Sequence, residues 1–469
     1  MAIHKVDFLI LGSGSTAFAA AIKASELDRR VLMVEERTVG GTCVNRGCVP
    51  SKNLIEAAHL WHLAGHPRFP GVHTRQEHLD LHALIAQKDE VVLDLRQKKY
   101  LSIADKDAHL QVWKGHAQFV DPHTVEVDGE PVMASQILIA TGSRPILPPI
   151  PGLNEVDALT SDLLGADDRE KLTELPPSLA IIGGGYIAVE LGQMFARFGS
   201  QVTIIEMLDR ILPTYEPEIG LALQSILREE GIAIHTSTRV ERVERSARGV
   251  VLHTTRGQFE ACRLLVAVGR CPNTDQLNLK AAGVETDPQG FVKVDEYLRT
   301  NVPHIWAAGD VVNGQMATPV GAHAGALVAR NAFGKAMQPM DYTVIPRAVF
   351  TDPQVGVVGL TDEEANQQGY RCQCRVVSLE HVPRAVVTRD TRGLVKMVAE
   401  RDTDRLLGVS ILAPNAAEII HVAALALRAR MTINDLIDTL FVYPTLAESI
   451  KIAALAFRKD VSKLSCCAE

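Results

Sequence analysis

Val6-Asp-Phe-Leu-Ile-Leu-Gly12-Ser-Gly-Ser-Thr-Ala17 is a short apolar run that breaks at two glycines and resumes as an alanine-rich helix over Phe18–Glu26. A second apolar run, Val31–Val34, ends at the carboxylate of Glu35. Strand, glycine turn, helix, strand and acid in this order form a unit that binds a dinucleotide. Gly12 and Gly14 allow a tight turn and close approach of a pyrophosphate to the backbone, and small Ala17 lets the helix lie near the strand. The helix N-terminus faces the phosphates, while Glu35 accepts from a ribose hydroxyl. One such motif is weak evidence, but this chain has two. Leu179–Ile182 runs into Gly183-Gly-Gly-Tyr-Ile-Ala188, a helix to Phe198, and the strand Gln201–Ile205 ending at Glu206. Glycine and acid are 23 residues apart in both copies. The chain is thus expected to hold two dinucleotides.

Each copy has a shorter echo, Ile137-Leu-Ile-Ala-Thr-Gly-Ser-Arg-Pro145 and Leu264-Leu-Val-Ala-Val-Gly-Arg-Cys-Pro272. Both read as strands running into glycine–proline crossovers. Ile305-Trp-Ala-Ala-Gly-Asp310 is a further strand ending in Gly-Asp. From about residue 341 the pattern changes to strands (Ala348–Val358, Arg375–Leu379, Leu394–Ala399, Leu407–Leu412) followed by helices Ala416–Arg430 and Leu446–Arg458. Strands followed by helices indicate an α+β module. The expected fold is α/β, with two Rossmann-like domains and a C-terminal α+β domain.

Between the first unit and its echo lies Gly41-Thr-Cys-Val-Asn-Arg-Gly-Cys-Val-Pro-Ser-Lys52, with two thiols five residues apart. A helix beginning after Gly47 would lower the pKa of a thiol at its N-terminus. Eight cysteines among 469 residues are too sparse for a disulfide scaffold. A net charge of −8 gives no reason to expect nucleic acid or an anionic membrane as partner. The apolar N-terminus is broken by Gly12–Ser15 and reads as strand, turn and helix rather than a leader. No membrane span survives inspection, so a soluble, cytoplasmic protein is expected.

Taken together, these motifs resemble the FAD-dependent pyridine nucleotide–disulfide oxidoreductases over nearly the whole chain. The resemblance implies FAD on Gly12, Gly14, Ala17, Glu35, Gly41, Thr42, Lys52, Thr141, Gly142 and Asp310. It implies NAD(P) on Gly183, Gly185, Ala188, Glu206 and Gly269. Residues 1–150 and 273–340 would form the FAD domain, 151–272 the NAD(P) domain and 341–469 a dimerisation domain. Cys48 would lie nearer the flavin and Cys43 would exchange with substrate. Lys52 would pair with Glu190. A homodimer would share its active sites across the interface.

Two positions narrow the chemistry. Disulfide-reducing members carry His-Pro-Thr-x-x-Glu where this chain has Tyr443-Pro-Thr-Leu-Ala-Glu448. A phenol of pKa near 10 is a poor base at neutral pH, and Thr445-x-x-Glu448 reads as a capping box. The chain ends Leu464-Ser-Cys466-Cys467-Ala-Glu469, and vicinal thiols suit soft metal ions. The combination resembles the Hg(II)-reducing members of the family, as do Val382–Ala385 and Asp390–Gly393. It implies that Cys466 and Cys467 of one subunit pass Hg(II) to Cys43 and Cys48 of the other, with Tyr186 and Tyr443 beside the metal. Many members begin with an extra metallochaperone domain. This chain starts at the FAD unit, so the tail is expected to collect the metal alone. Glu206 would repel a 2′-phosphate and favour NADH over NADPH, although Arg210 weakens that inference. His59, His62 and His66 read as surface, Cys372 and Cys374 as packing, and Cys262 and Cys271 as structural. A dihydrolipoamide dehydrogenase-like disulfide reductase and a non-catalytic thiol buffer on a flavoprotein scaffold remain as alternatives.

Overall fold

The computed structural model describes residues 3–167 and 171–465. Strand His4–Leu11 runs into Gly12 at φ +105°, and the helix Ser15–Ser25 starts directly after Gly14. A Cβ at Gly12 would lie 2.4 Å from the Ala140 carbonyl oxygen, so a side chain there would collide with the neighbouring strand end. His4–Leu11 lies parallel between Val31–Glu35 and Glu130–Ile139. Leu110–Lys114 extends the sheet on one side, and Ile305–Ala307 joins Ile137–Ile139 on the other. One face of these strands packs on the helices Ser15–Ser25 and Thr318–Phe333 and the other on the strands Ala117–Asp121 and Thr124–Val127, so burial on both sides makes them read as continuous apolar runs.

The second copy repeats this construction in detail. Ser178–Ile182 pairs in parallel with Gln201–Ile205 and Arg263–Val266, and Ala233–His235 extends the sheet. Gly183 sits at φ +106°, and its Cβ would lie 2.4 Å from the Ala267 carbonyl oxygen. The two crossover segments, Ser143–Pro145 and Arg270–Pro272, pair with each other as a short antiparallel ladder.

The C-terminal module is a five-stranded antiparallel sheet backed by the helices Ala416–Arg428, Ile433–Asp438 and Glu448–Leu455. Three sequence expectations need correction here. The single strand over Ala348–Val358 is two strands, Arg347–Val349 and Gln354–Gly359, paired antiparallel. Pro353 lacks a ladder N–H and falls in the loop between them. The last helix begins at Glu448, not Leu446, and ends at Leu455. Its capping box is only half formed: Glu448 N–H donates to Thr445 Oγ1 at 3.4 Å, but no reciprocal bond closes it, because the N-cap position falls on Ala447. One hydrophobic core draws on all three parts of the chain, from Leu54 through Leu179 and Phe195 to Val349 and Leu412. Among the described residues no helix is long and apolar enough to cross a membrane.

Candidate active site

The thiol pair sits where two short segments are forced together. Gly41, at φ +67°, packs so closely on the first glycine turn that a Cβ would lie 2.5 Å from Gly14 Cα. Cys43 lies in the short helix Gly41–Asn45, and Cys48 is the first residue of the helix Cys48–Gly65. Both are free thiols. A hydrogen bond from Cys43 lowers the Cys48 pKa to about 6. Burial opposes this shift, while the Thr318 hydroxyl, 3.6 Å away, and the charge of Lys52 support it. The same thiol–thiol bond, with burial, pushes Cys43 well above the ordinary range. One member of the pair is therefore a thiolate at neutral pH while the other keeps its proton.

One turn along, Lys52 Nζ donates to Glu190 Oε2 at 2.7 Å and stands 4.8 Å from the centroid of the Phe350 ring. Glu190 is only 4% exposed on the helix Tyr186–Phe198 and also accepts a 2.8 Å bond from Phe350 N–H. Tyr186 begins that helix and is 40% exposed, and a phenol titrates near 10. It is a donor, not a base, at neutral pH.

Both glycine turns are braced by their glutamates in the same way. Glu35 accepts from Ser13 Oγ at 2.6 Å and from Arg37 N–H at 2.7 Å. Glu206 accepts from Gly184 N–H at 2.5 Å and from Leu208 N–H at 2.7 Å. The space outside Gly185 and Gly142 is open to at least 4 Å, and Gly14 meets only Gly41 there, so the backbone is bare where a pyrophosphate would approach. Ala17 and Ala188 are fully buried and seat their helices on the strands. Thr42 lies in the short helix of Cys43, and Gly269 takes φ +133° beside the second turn. Asp310 accepts from Ser143 Oγ at 2.8 Å, and Thr141 Oγ1 donates to the Asn273 carbonyl at 2.7 Å. These donors, acceptors and helix N-termini fit FAD at the first unit and a nicotinamide dinucleotide at the second.

Tyr443 is 45% exposed on the C-terminal module, beside exposed Leu440 and Val442. Glu448 is pushed up by burial, and its Oε2 has no hydrogen-bond partner among the described residues. Cys466 and Cys467 lie outside the described residues. Sequence reasoning missed Thr318 and Phe350, which touch Cys48, Lys52 and Glu190 from distant parts of the chain. It also treated His59 as surface, whereas His59 Nδ1 lies 3.1 Å from the Asp352 carboxylate. Cys372 and Cys374 have ordinary polar neighbours, Asn366 and Asp362.

Two nucleotide cradles flanking a thiol pair at a helix N-terminus define a dithiol flavoprotein fed by a nicotinamide. The chain belongs to the pyridine nucleotide-disulphide oxidoreductase family, whose model matches residues 6–326, and the family's dimerisation domain matches residues 345–454. That second match supports a homodimer. Within the family, the chain is similar to mercuric reductases. It is 46% identical to that of Streptomyces lividans over 98% of each chain. It is 44% identical to that of Bacillus cereus, covering 99% of this chain and 73% of the relative. A similar solved structure is the HOCl-induced flavoprotein disulfide reductase RclA from Escherichia coli. It shows a TM-score of 0.86 and 32% identity, covering 97% of this chain and all of that one. A Cu(II) complex of the same protein shows a TM-score of 0.85 at 32% identity, covering 95% of this chain and 98% of that one.

Proposed function

We infer that this protein reduces Hg(II) to Hg(0) at the expense of NAD(P)H, with FAD as relay and Cys43 and Cys48 as the metal cradle. The observation that carries this reading is a free thiol pair at a helix N-terminus beside the Lys52–Glu190 ion pair, in a chain 44–46% identical to mercuric reductases over nearly its whole length. A thiolate at Cys48 and a proton-bearing Cys43 suit stepwise exchange, in which Cys43 exchanges with the incoming metal complex, its proton leaving with the displaced thiol, and the Cys48 thiolate completes the pair of ligands. Soft thiolates are the ligands such an ion prefers. The balance is NAD(P)H plus Hg(II) giving NAD(P)⁺, Hg(0) and one proton. Bound FAD supplies the two-electron link between nicotinamide and metal. The chain's own residues do the rest: Lys52 keeps Cys48 ionised, Glu190 holds Lys52, and the two glycine turns orient the dinucleotides.

Thiolate-for-thiolate exchange needs no side-chain base for an organic thiol, which agrees with a tyrosine at position 443. The dimer is taken to share its sites, with Tyr443 and the Cys466–Cys467 tail of one subunit serving the Cys43–Cys48 pair of the other. Tyr186 stands at the nicotinamide turn, beside the place the metal would take. Glu206, at the strand end where a ribose hydroxyl would lie, favours NADH over NADPH.

Replacing Cys466 and Cys467 together by alanine is expected to slow turnover of mercury held by bulky or tight-binding thiols. Unchanged rates under those conditions would refute delivery by the tail. Running Cu(II) and lipoamide beside Hg(II) in the NAD(P)H assay tests the reading against a copper-directed and a disulfide-directed enzyme. Faster oxidation with either would displace Hg(II) as the substrate.

A further inference from the structure

The C-terminal module reaches the ion pair beside the thiols through one loop. Residues Phe350–Asp352, just after the strand Arg347–Val349, are bonded by three side chains of the helix Tyr186–Phe198. Glu190, Gln193 and Arg197 are spaced along one face of that helix, and all three are buried. Phe350 N–H donates to Glu190 Oε1 at 2.8 Å. Asp352 N–H donates to Gln193 Oε1 at 2.8 Å, and Gln193 Nε2 donates back to the Asp352 carbonyl at 2.9 Å, closing a two-bond clasp. Arg197 Nη2 donates to the Asp352 carboxylate at 2.8 Å, and His59, two turns beyond Lys52, approaches the same oxygen.

These contacts divide into two kinds. The carboxylate of Asp352 belongs to an ion network with Arg197 and Arg392, which docks the loop. The clasp instead fixes the loop's backbone register, which holds the Phe350 N–H on one oxygen of Glu190. With that oxygen taken, the other is left for Lys52, and the Phe350 ring lies against the ammonium. We propose that Gln193 is a positioning residue for the thiol pair, setting the Lys52–Glu190 geometry beside Cys48 through its backbone clasp on Asp352.

The proposal rests on the flavin-and-dithiol part of the function inferred above and is independent of mercury. Its test reads Cys48 directly. The reduced holoenzyme is treated with iodoacetamide across pH, Cys48 and Cys43 are quantified by peptide mass spectrometry, and the long-wavelength thiolate–flavin absorbance is followed in parallel. The groups facing Cys48 are Cys43, Thr318, Lys52 and Glu190. Gln193→Met keeps the side-chain volume but removes the clasp, and is expected to raise the Cys48 midpoint by about half to one unit. Asp352→Asn keeps the clasp, which uses only the backbone groups of residue 352, and is expected to lower thermal stability with the midpoint unmoved. Gln193→Leu also removes the clasp and carries the same expectation, should Gln193→Met not fold. A Gln193→Met midpoint within about 0.2 unit of the parent, with stability reduced, would make the clasp structural only and overturn the proposal. A shifted midpoint in a protein inactive on Hg(II) would support the positioning role and sink the mercury reading instead.

Discussion

Cys48 is kept ionised by neighbours of different kinds: a thiol donor, a hydroxyl and a lysine one turn along its own helix. Its folded-state pKa lies below the ordinary thiol value. Ionisation therefore favours the folded protein, fully above the unfolded pKa and progressively less as pH falls through about 6. Cys43 is shifted the other way, so it opposes folding at alkaline pH, where the unfolded chain would ionise it. Cys43→Ala removes the largest support for the thiolate and is expected to raise the alkylation midpoint of Cys48 by about one unit or more. An unshifted midpoint would mean that Lys52 and Thr318 suffice. The nearness of Cys43 to Cys48 was legible in their spacing, whereas the pairing of Lys52 with Glu190, 138 residues apart, was implied only by the family resemblance. Thr318 was not legible, because it approaches Cys48 from 270 residues away with no local pattern to announce it.

The two glycine turns show how one element serves binding and folding together. Glu206 is buried, with each carboxylate oxygen on a backbone N–H, so the residue expected to choose between NADH and NADPH also holds the turn closed. Hydrogen bonds to a charged group are worth about 1.5–3 kcal/mol each, so Glu206→Ala is expected to weaken both nicotinamides and lower stability. Glu206→Gln keeps an acceptor and removes the repelling charge. It is expected to raise kcat/KM for NADPH relative to NADH, and an unchanged ratio would remove Glu206 from specificity. Strand, turn and helix were readable because each is written in local periodicity. The loop Phe350–Pro353 was hidden inside an apparent strand. Its role comes from partners such as Glu190, 160 residues distant, rather than from its own sequence.

At the scale of the whole molecule, the modules are joined by buried charge as well as by a common core. Lys396, 2% exposed on the C-terminal sheet, bonds Glu216 at 2.8 Å and also reaches Glu218 and Asp362. Burial works against its charge, but the three carboxylates hold its pKa well above the usual lysine range. Breaking a buried ion pair by removing one partner costs about 3–5 kcal/mol. Lys396→Met is therefore expected to lower the denaturation midpoint markedly while leaving the alkylation profile of Cys48 unchanged. A stable Lys396→Met protein would show that the junction is held by the apolar core alone. Sequence pattern conveyed the order of the modules but not this junction, since charged residues on a strand and a helix read as solvent-facing until the two elements meet. Electron transfer from NAD(P)H through the dithiol to Hg(II) is the function inferred for the whole assembly. Its most direct test follows NAD(P)H absorbance in excess thiol, with and without Hg(II), while volatile mercury is trapped. Hg(II)-dependent oxidation with one Hg(0) released per NAD(P)H, abolished in Cys43→Ala with Cys48→Ala, is expected; stoichiometric binding of Hg(II) without oxidation would contradict electron transfer to the metal.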